Sequence, residues 1–111
     1  MDPPRILARD SRFVVLDKPA GLPVHPGRGG GASAEDWFPL LSRRRVGPWL
    51  VHRLDRDTAG CLVVALRKSA LVAAQTLLAE GGAEKIYWAV VRGAPQAGSG
   101  RLSFPLLRRM A

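Results

Sequence analysis

His52-Arg53-Leu54-Asp55-Arg56-Asp57-Thr58-Ala59-Gly60-Cys61-Leu62-Val63-Val64-Ala65 decides how this chain is organised. Pro48-Trp49-Leu50-Val51 leads into it, and the stretch from Pro48 to Leu54 reads as extended. Asp55 to Gly60 then carries turn chemistry, and Cys61-Leu62-Val63-Val64-Ala65-Leu66 is an almost unbroken apolar run. That run predicts a strand buried on both faces, in which Cys61 is an inert, buried thiol. Asp55 therefore stands between two strands, where a rigid scaffold can hold a carboxylate toward a cleft. By geometry alone the same residue is an ordinary turn acid.

Upstream, Arg12-Phe13-Val14-Val15-Leu16-Asp17 is β-branched and aromatic at its centre and predicts a strand that stops at Lys18-Pro19-Ala20-Gly21. Prolines at 19, 23 and 26 and the run Arg28-Gly29-Gly30-Gly31 forbid regular structure as far as Ser33. Ser33 and Asp36 have the spacing of a capping box, with Trp37, Leu40 and Leu41 on one helical face and Pro39 keeping the helix short or kinked. Downstream, Ser69 is placed to cap a helix whose apolar face is Ala70, Ala73, Ala74, Leu77 and Leu78, closed by Gly81-Gly82. Lys85-Ile86-Tyr87-Trp88-Ala89-Val90-Val91-Arg92 predicts another strand, and Arg101-Leu102-Ser103-Phe104 the start of one more. This order of elements predicts an α+β fold, a mixed and mostly antiparallel β-sheet flanked by helices.

Composition limits what such a fold can do. The chain has 111 residues, 47% of them hydrophobic, enough for one small core and no more. No apolar run approaches the ~18 residues of a membrane span, and the N-terminus lacks the pattern of a signal peptide. With Cys61 as its one cysteine and no third ligand beside His25 and His52, the chain offers no disulfide and no metal site. A cytoplasmic setting is expected. Seventeen Lys and Arg against nine Asp and Glu leave a net charge of +8, spread from Arg5 to Arg109. RNA or DNA is the first partner to consider, because cations that neutralise phosphates release counterions. An Arg-rich genome accounts for the same bias. Arg28 to Gly31 could touch a phosphate through backbone N–H groups, and reads equally as a surface loop. Phosphate-loop, zinc-protease and serine-elbow patterns are not found in the sequence.

The string His52-Arg53-Leu54-Asp55, followed by Asp57-Thr58-Ala59-Gly60 and an apolar strand, resembles the HRLD motif of the RluA-type RNA pseudouridine synthases. Val14 to Gly27, with Lys18-Pro19-Ala20-Gly21-Leu22-Pro23-Val24-His25, resembles the opening strand and loop of that family. Lys85 to Gly93 resembles its K-x-Y-x-A-x-V-x-G strand. The resemblance implies a pseudouridine synthase-like catalytic fold, RNA (rRNA or tRNA) as substrate, and no cofactor or metal. It assigns Asp55 as the catalytic carboxylate and Tyr87 as the aromatic that stacks on the uracil and handles the proton at C5. Arg53, Arg56 and Lys85 are assigned to the RNA, Arg53 helping to hold the target nucleotide out of its stack. His52 reads as structural, since a related branch of the family has Gly at that place.

The family's catalytic domain is roughly twice as long as this chain, and its later G-R-x-H-Q segment, which gives the acid a basic partner, is not found here. Residues 1–111 are therefore expected to be the N-terminal part of a catalytic domain, incomplete at the C-terminus. The alternatives are a half-domain that needs a partner chain and a noncatalytic RNA-binding remnant.

Overall fold

The computed structural model describes residues 2–105. Four strands form one antiparallel sheet in the order β1-β2-β4-β3, with β1 at Arg5–Arg9, β2 at Phe13–Lys18, β3 at Trp49–Leu50 and β4 at Gly60–Ala65. A 3-10 turn, Ala34–Trp37, runs into the one-turn helix α1, Phe38–Leu41, and α2 spans Lys68–Ala79. The α+β architecture matches the expectation, and every strand pair among the described residues is antiparallel.

Period-two alternation in β2 sets the core. Val14 and Leu16 are fully buried, Phe13 and Val15 only half-buried, and the inward pair faces Val64 and Leu62 across the ladder. Val24, Ala34, Trp37 and Leu41 close over this face from the loop and the short helix. The predicted capping box pairs Ser33 with Asp36, whose carboxylate accepts the Ser33 N–H at 3.0 Å. The helix is short, as expected, with Pro39 in its first turn, and Leu40 turns outward at 69% exposure.

Several expectations need correction. The first strand, β1, went unread because its Ile6-Leu7 pair is flanked by Arg5 and Arg9 and all five residues are exposed. It is held by a side-chain turn, in which Asp10 Oδ1 accepts the N–H groups of Arg12 (2.7 Å) and Phe13 (2.8 Å). Those two bonds, Phe13's first, keep the Asp10 carboxyl below its usual range. The extended reading of Pro48 to Leu54 shrinks to Trp49–Leu50, since the chain turns away at Val51.

β4 is buried along one face and, on the other, only at Ala65. Leu62 and Val64 point into the core, but Val63 is half-buried and Cys61 is exposed, because α2 covers only part of the second face. Ser69 does not cap α2; Arg67 holds the N-cap position and Ser69 lies within the helix. Ala70, Leu71, Ala74 and Leu78 form its inner face, while Ala73 and Leu77 are exposed, so the apolar stripe is rotated from the predicted one. Its end follows the expected glycines: Gly81 N–H bonds to Leu78 O (3.1 Å) and Gly82 N–H to Leu77 O (2.9 Å), a Schellman closure.

Lys85 to Arg92 forms no strand, nor does Arg101 to Phe104. The residue types suit a strand, but no ladder partner meets them among the described residues. Trp88 and Val90 stand 97% and 103% exposed. No helix among the described residues is long and apolar enough to cross a membrane.

Candidate active site

Asp55 sits in the loop between β3 and β4, with its carboxylate open to solvent and in no hydrogen bond or ion pair among the described residues. Its carbonyl accepts the Thr58 N–H at 3.0 Å and closes a tight turn over Arg56 and Asp57. Arg53 and Arg56 are exposed, and Arg56 Nε lies 3.7 Å from Asp57 Oδ1 in a solvent-facing pair.

What fixes this turn is a lysine. Lys18 continues the inward row of Val14 and Leu16 at the end of β2 and is fully buried. Its stem lies against the core and its ammonium emerges among three carbonyl oxygens, Leu22 (2.7 Å), Pro19 (2.8 Å) and Arg56 (3.0 Å). All three ammonium protons have an acceptor, which is what makes a buried Lys tolerable. Burial still pushes the ammonium below its usual pKa, with the Asp57 carboxylate opposing that shift. The Arg56 carbonyl also accepts the Gly21 N–H at 2.8 Å, and Gly21 has φ +92°, a conformation that a side chain would strain. The Lys18-to-Leu22 loop and the Asp55 turn are thus joined through one oxygen. Sequence reasoning missed this role for Lys18. The signal was available: strict alternation from Val14 directs residue 18 inward, where Lys is rare unless its charge is satisfied.

His52 completes the sheet beside this turn. Its Nε2 accepts the Val63 N–H at 3.0 Å, and the Val51 N–H reaches Val63 O at 3.3 Å, so an imidazole takes a backbone place in the β3–β4 ladder. That bond requires a neutral ring with its proton on Nδ1. Burial lowers the His52 pKa most, the Arg53 backbone raises it, and the Lys85 charge lowers it.

Lys85 and Tyr87 lie along a cleft of about 690 Å³ between the second face of β4, the C-terminal half of α2 and residues 83–88. His52, Leu54, Thr58 and Cys61 share this lining; Asp55, Arg53 and Arg56 do not. Tyr87 is 61% exposed. The structure therefore brings Lys85 and Tyr87 to the wall of the loop that carries Asp55, but does not bring either side chain to the Asp55 carboxylate. No cluster of metal-ligating side chains occurs among the described residues.

The turn that carries Asp55 thus stands beside a cleft lined by an aromatic and a lysine, on a basic α+β scaffold. Comparison with known proteins gives the family: the RNA pseudouridylate synthase profile matches residues 12–109, and the chain belongs to that family. An RNA pseudouridine synthase of Zymomonas mobilis, itself uncharacterised, is 38% identical over 105 residues, covering 94% of this chain and 48% of that protein. Ribosomal large subunit pseudouridine synthase C of Escherichia coli is 40% identical over 105 residues, covering 95% of this chain and 33% of its own length. Among solved structures, human RNA pseudouridylate synthase domain containing 4 superposes with a TM-score of 0.58 at 35% identity, over 68% of this chain and 29% of that one. The chain thus spans between a third and a half of the length of these two bacterial relatives.

Proposed function

We infer that this chain is the acid-bearing N-terminal part of an RNA pseudouridine synthase catalytic domain, with Asp55 as the catalytic carboxylate. A further set of strands, in the same polypeptide or in a second chain, completes the site. The observation that carries this reading is that the family match includes Asp55, on a turn whose backbone Lys18 ties to the sheet.

Converting uridine to pseudouridine breaks the N1–C1′ bond, turns the uracil while it stays bound, and joins C5 to C1′. The C5 proton is lost and N1 gains one, so atoms and electrons balance without oxidant, water or metal. An ionised carboxylate serves this reaction as a nucleophile toward C1′, or as the group that stabilises and deprotonates a sugar intermediate. Tyr87 stacks on the uracil and handles the C5 proton. Arg53 holds the extruded nucleotide, while Arg56 and Lys85 meet phosphates. Asp55 is open to solvent among the described residues, and the reaction needs it enclosed; the completing strands supply that cover. Structured rRNA is the first substrate to test, since the Escherichia coli relative is named for the large ribosomal subunit.

The test uses RNA tritiated at uridine C5, which releases label to water as pseudouridine forms. The 111-residue chain is compared with a chimera carrying the residues that follow the matched region in the Zymomonas mobilis relative. Release by the chimera and not by the shorter chain is expected. A folded chimera that binds RNA and releases no label would contradict the activity, and release by the 111-residue chain alone would contradict the need for completing strands.

A further inference from the structure

Four cations gather at the end of the sheet away from Asp55. Arg44, Arg45, Arg67 and Lys68, with Val46 and Trp49, line a cleft of about 430 Å³ with no acid in its lining among the described residues. None of the four is in an ion pair among the described residues. Arg67 is oriented by a bond from its Nε to Ser11 O (3.2 Å), which leaves its terminal nitrogens available. Asp10, in the same β1–β2 turn, has Oδ1 engaged by the N–H groups of Arg12 and Phe13.

The cleft is shaped by close packing. Gly47 has φ +79°, and a Cβ added there would stand 2.5 Å from Cζ3 of Trp49. Only glycine lets the segment carrying Arg44 and Arg45 lie against the half-buried indole. Trp49 pairs with Ala65 at one end of β4, and the Asp55 turn precedes Gly60 at the other. Five residue steps of about 3.4 Å separate those ends by about 17 Å, or about five base steps of a nucleic acid at ~3.4 Å each.

We propose that this cleft is a second RNA-contacting site, which takes the sugar–phosphate backbone of a strand whose target uridine lies at Asp55. It rests on the RNA reading given above. Unpaired cations clustered without an acid gain affinity for phosphate by counterion release, and three of them are guanidinium forks that match phosphate oxygens. The indole offers an apolar floor to a ribose or base, a feature that free phosphate does not need. At this distance from the acid the cleft contributes to RNA affinity and register, not to the chemical step.

Fluorescence anisotropy of a labelled single-stranded RNA against salt tests this with the full 111-residue chain. Arg44→Gln/Arg45→Gln is compared with Arg5→Gln/Arg12→Gln, which removes the same charge from outside the cleft; thermal melts followed by circular dichroism check that each variant folds. The cleft pair is expected to reduce the slope of log affinity on log salt by about 1.4, roughly 0.7 for each phosphate no longer neutralised, which is about 25-fold in affinity at 0.1 M salt relative to 1 M. The control pair is expected to change the slope by less than half as much. Arg67→Gln/Lys68→Gln should reproduce the cleft effect. RNA binding that cleft and control pairs weaken equally would overturn the cleft while leaving the RNA reading intact. No RNA affinity in the unaltered chain at low salt would overturn both. An equal loss of binding to poly-glutamate would make the cleft a general polyanion patch and overturn its assignment to RNA.

Discussion

Lys18 Nζ donates to the carbonyl oxygen of Arg56 at 3.0 Å, across 38 residues of sequence. This bond ties the turn that presents Asp55 to the end of β2. Lys18→Met removes the donor from three carbonyls at once. At about 1 kcal/mol for each, the chain is expected to lose roughly 3 kcal/mol of stability, measured by urea unfolding. Lys18→Arg should not restore it, because a planar guanidinium cannot meet three converging carbonyls from the same place. In the completed enzyme kcat should fall about 10- to 100-fold with RNA affinity little changed, since displacing a reacting group by ~1 Å has that scale of effect. Stability and turnover at the unaltered level in Lys18→Met would contradict the clamp.

His52 gives the fold a pH dependence with a definite sign. Its folded pKa is held below the ordinary 6.5, chiefly by burial, and its neutral Nε2 accepts the Val63 N–H. The unfolded chain therefore binds the proton more readily. The stabilisation is fully present above about pH 6.5 and is lost as pH falls from there through the lower folded pKa. Melting temperature should decline between about pH 7.5 and 5.5, and His52→Asn should flatten that decline while lowering stability at the upper end of the range. A wild-type melting temperature unchanged across this window would rule out the buried acceptor.

The exposed apolar segment should make the 111-residue chain associate. Ile86 (74%), Trp88 (97%), Val90 (103%) and Phe104 (76%) present apolar surface on an unpaired stretch. Light scattering after gel filtration should give a mass above the 12.0 kDa of one chain, and Trp88→Ser/Val90→Thr should bring it toward the monomer. A monodisperse monomer with cooperative unfolding would show that the segment is covered in solution by the chain itself.

Much of this was legible in the sequence, and what was missed has physical reasons. Val14 and Leu16 alternate in a strand, and Gly81-Gly82 close a helix; each is local chemistry that the chain states directly. Burial is not local. Cys61 reads as buried because its neighbours are apolar, yet its face of β4 depends on what packs there, and α2 covers only part of it. Lys85 to Arg92 has strand composition, but a strand exists only with a partner ladder, and composition does not supply one. Asp55 stands out through its motif. Lys18 lies in the same matched segments without standing out, because its function comes from carbonyl groups, which no residue letter encodes.

Tyr87 should matter to turnover more than to binding. Tyr87→Phe keeps the ring, so RNA affinity should hold while the chemical step slows, because Phe has no proton to handle. Tyr87→Ala should weaken both, the binding loss being about 1–3 kcal/mol if the ring stacks on an extruded base. Rates for the Phe variant equal to those of the unaltered enzyme would leave Tyr87 with stacking alone.

The central claim is that Asp55 performs the reaction, and the most direct measurement is pseudouridine formed by Asp55→Asn in the completed enzyme at saturating RNA. The amide keeps the shape of the turn and loses the charge. Because Asp55 makes no side-chain bond among the described residues, fold and RNA affinity should be unaffected, while kcat falls by roughly 10⁴-fold or more, the scale of removing a reacting group. Pseudouridine formed by the Asn variant at a rate near that of the unaltered enzyme would remove Asp55 from the mechanism.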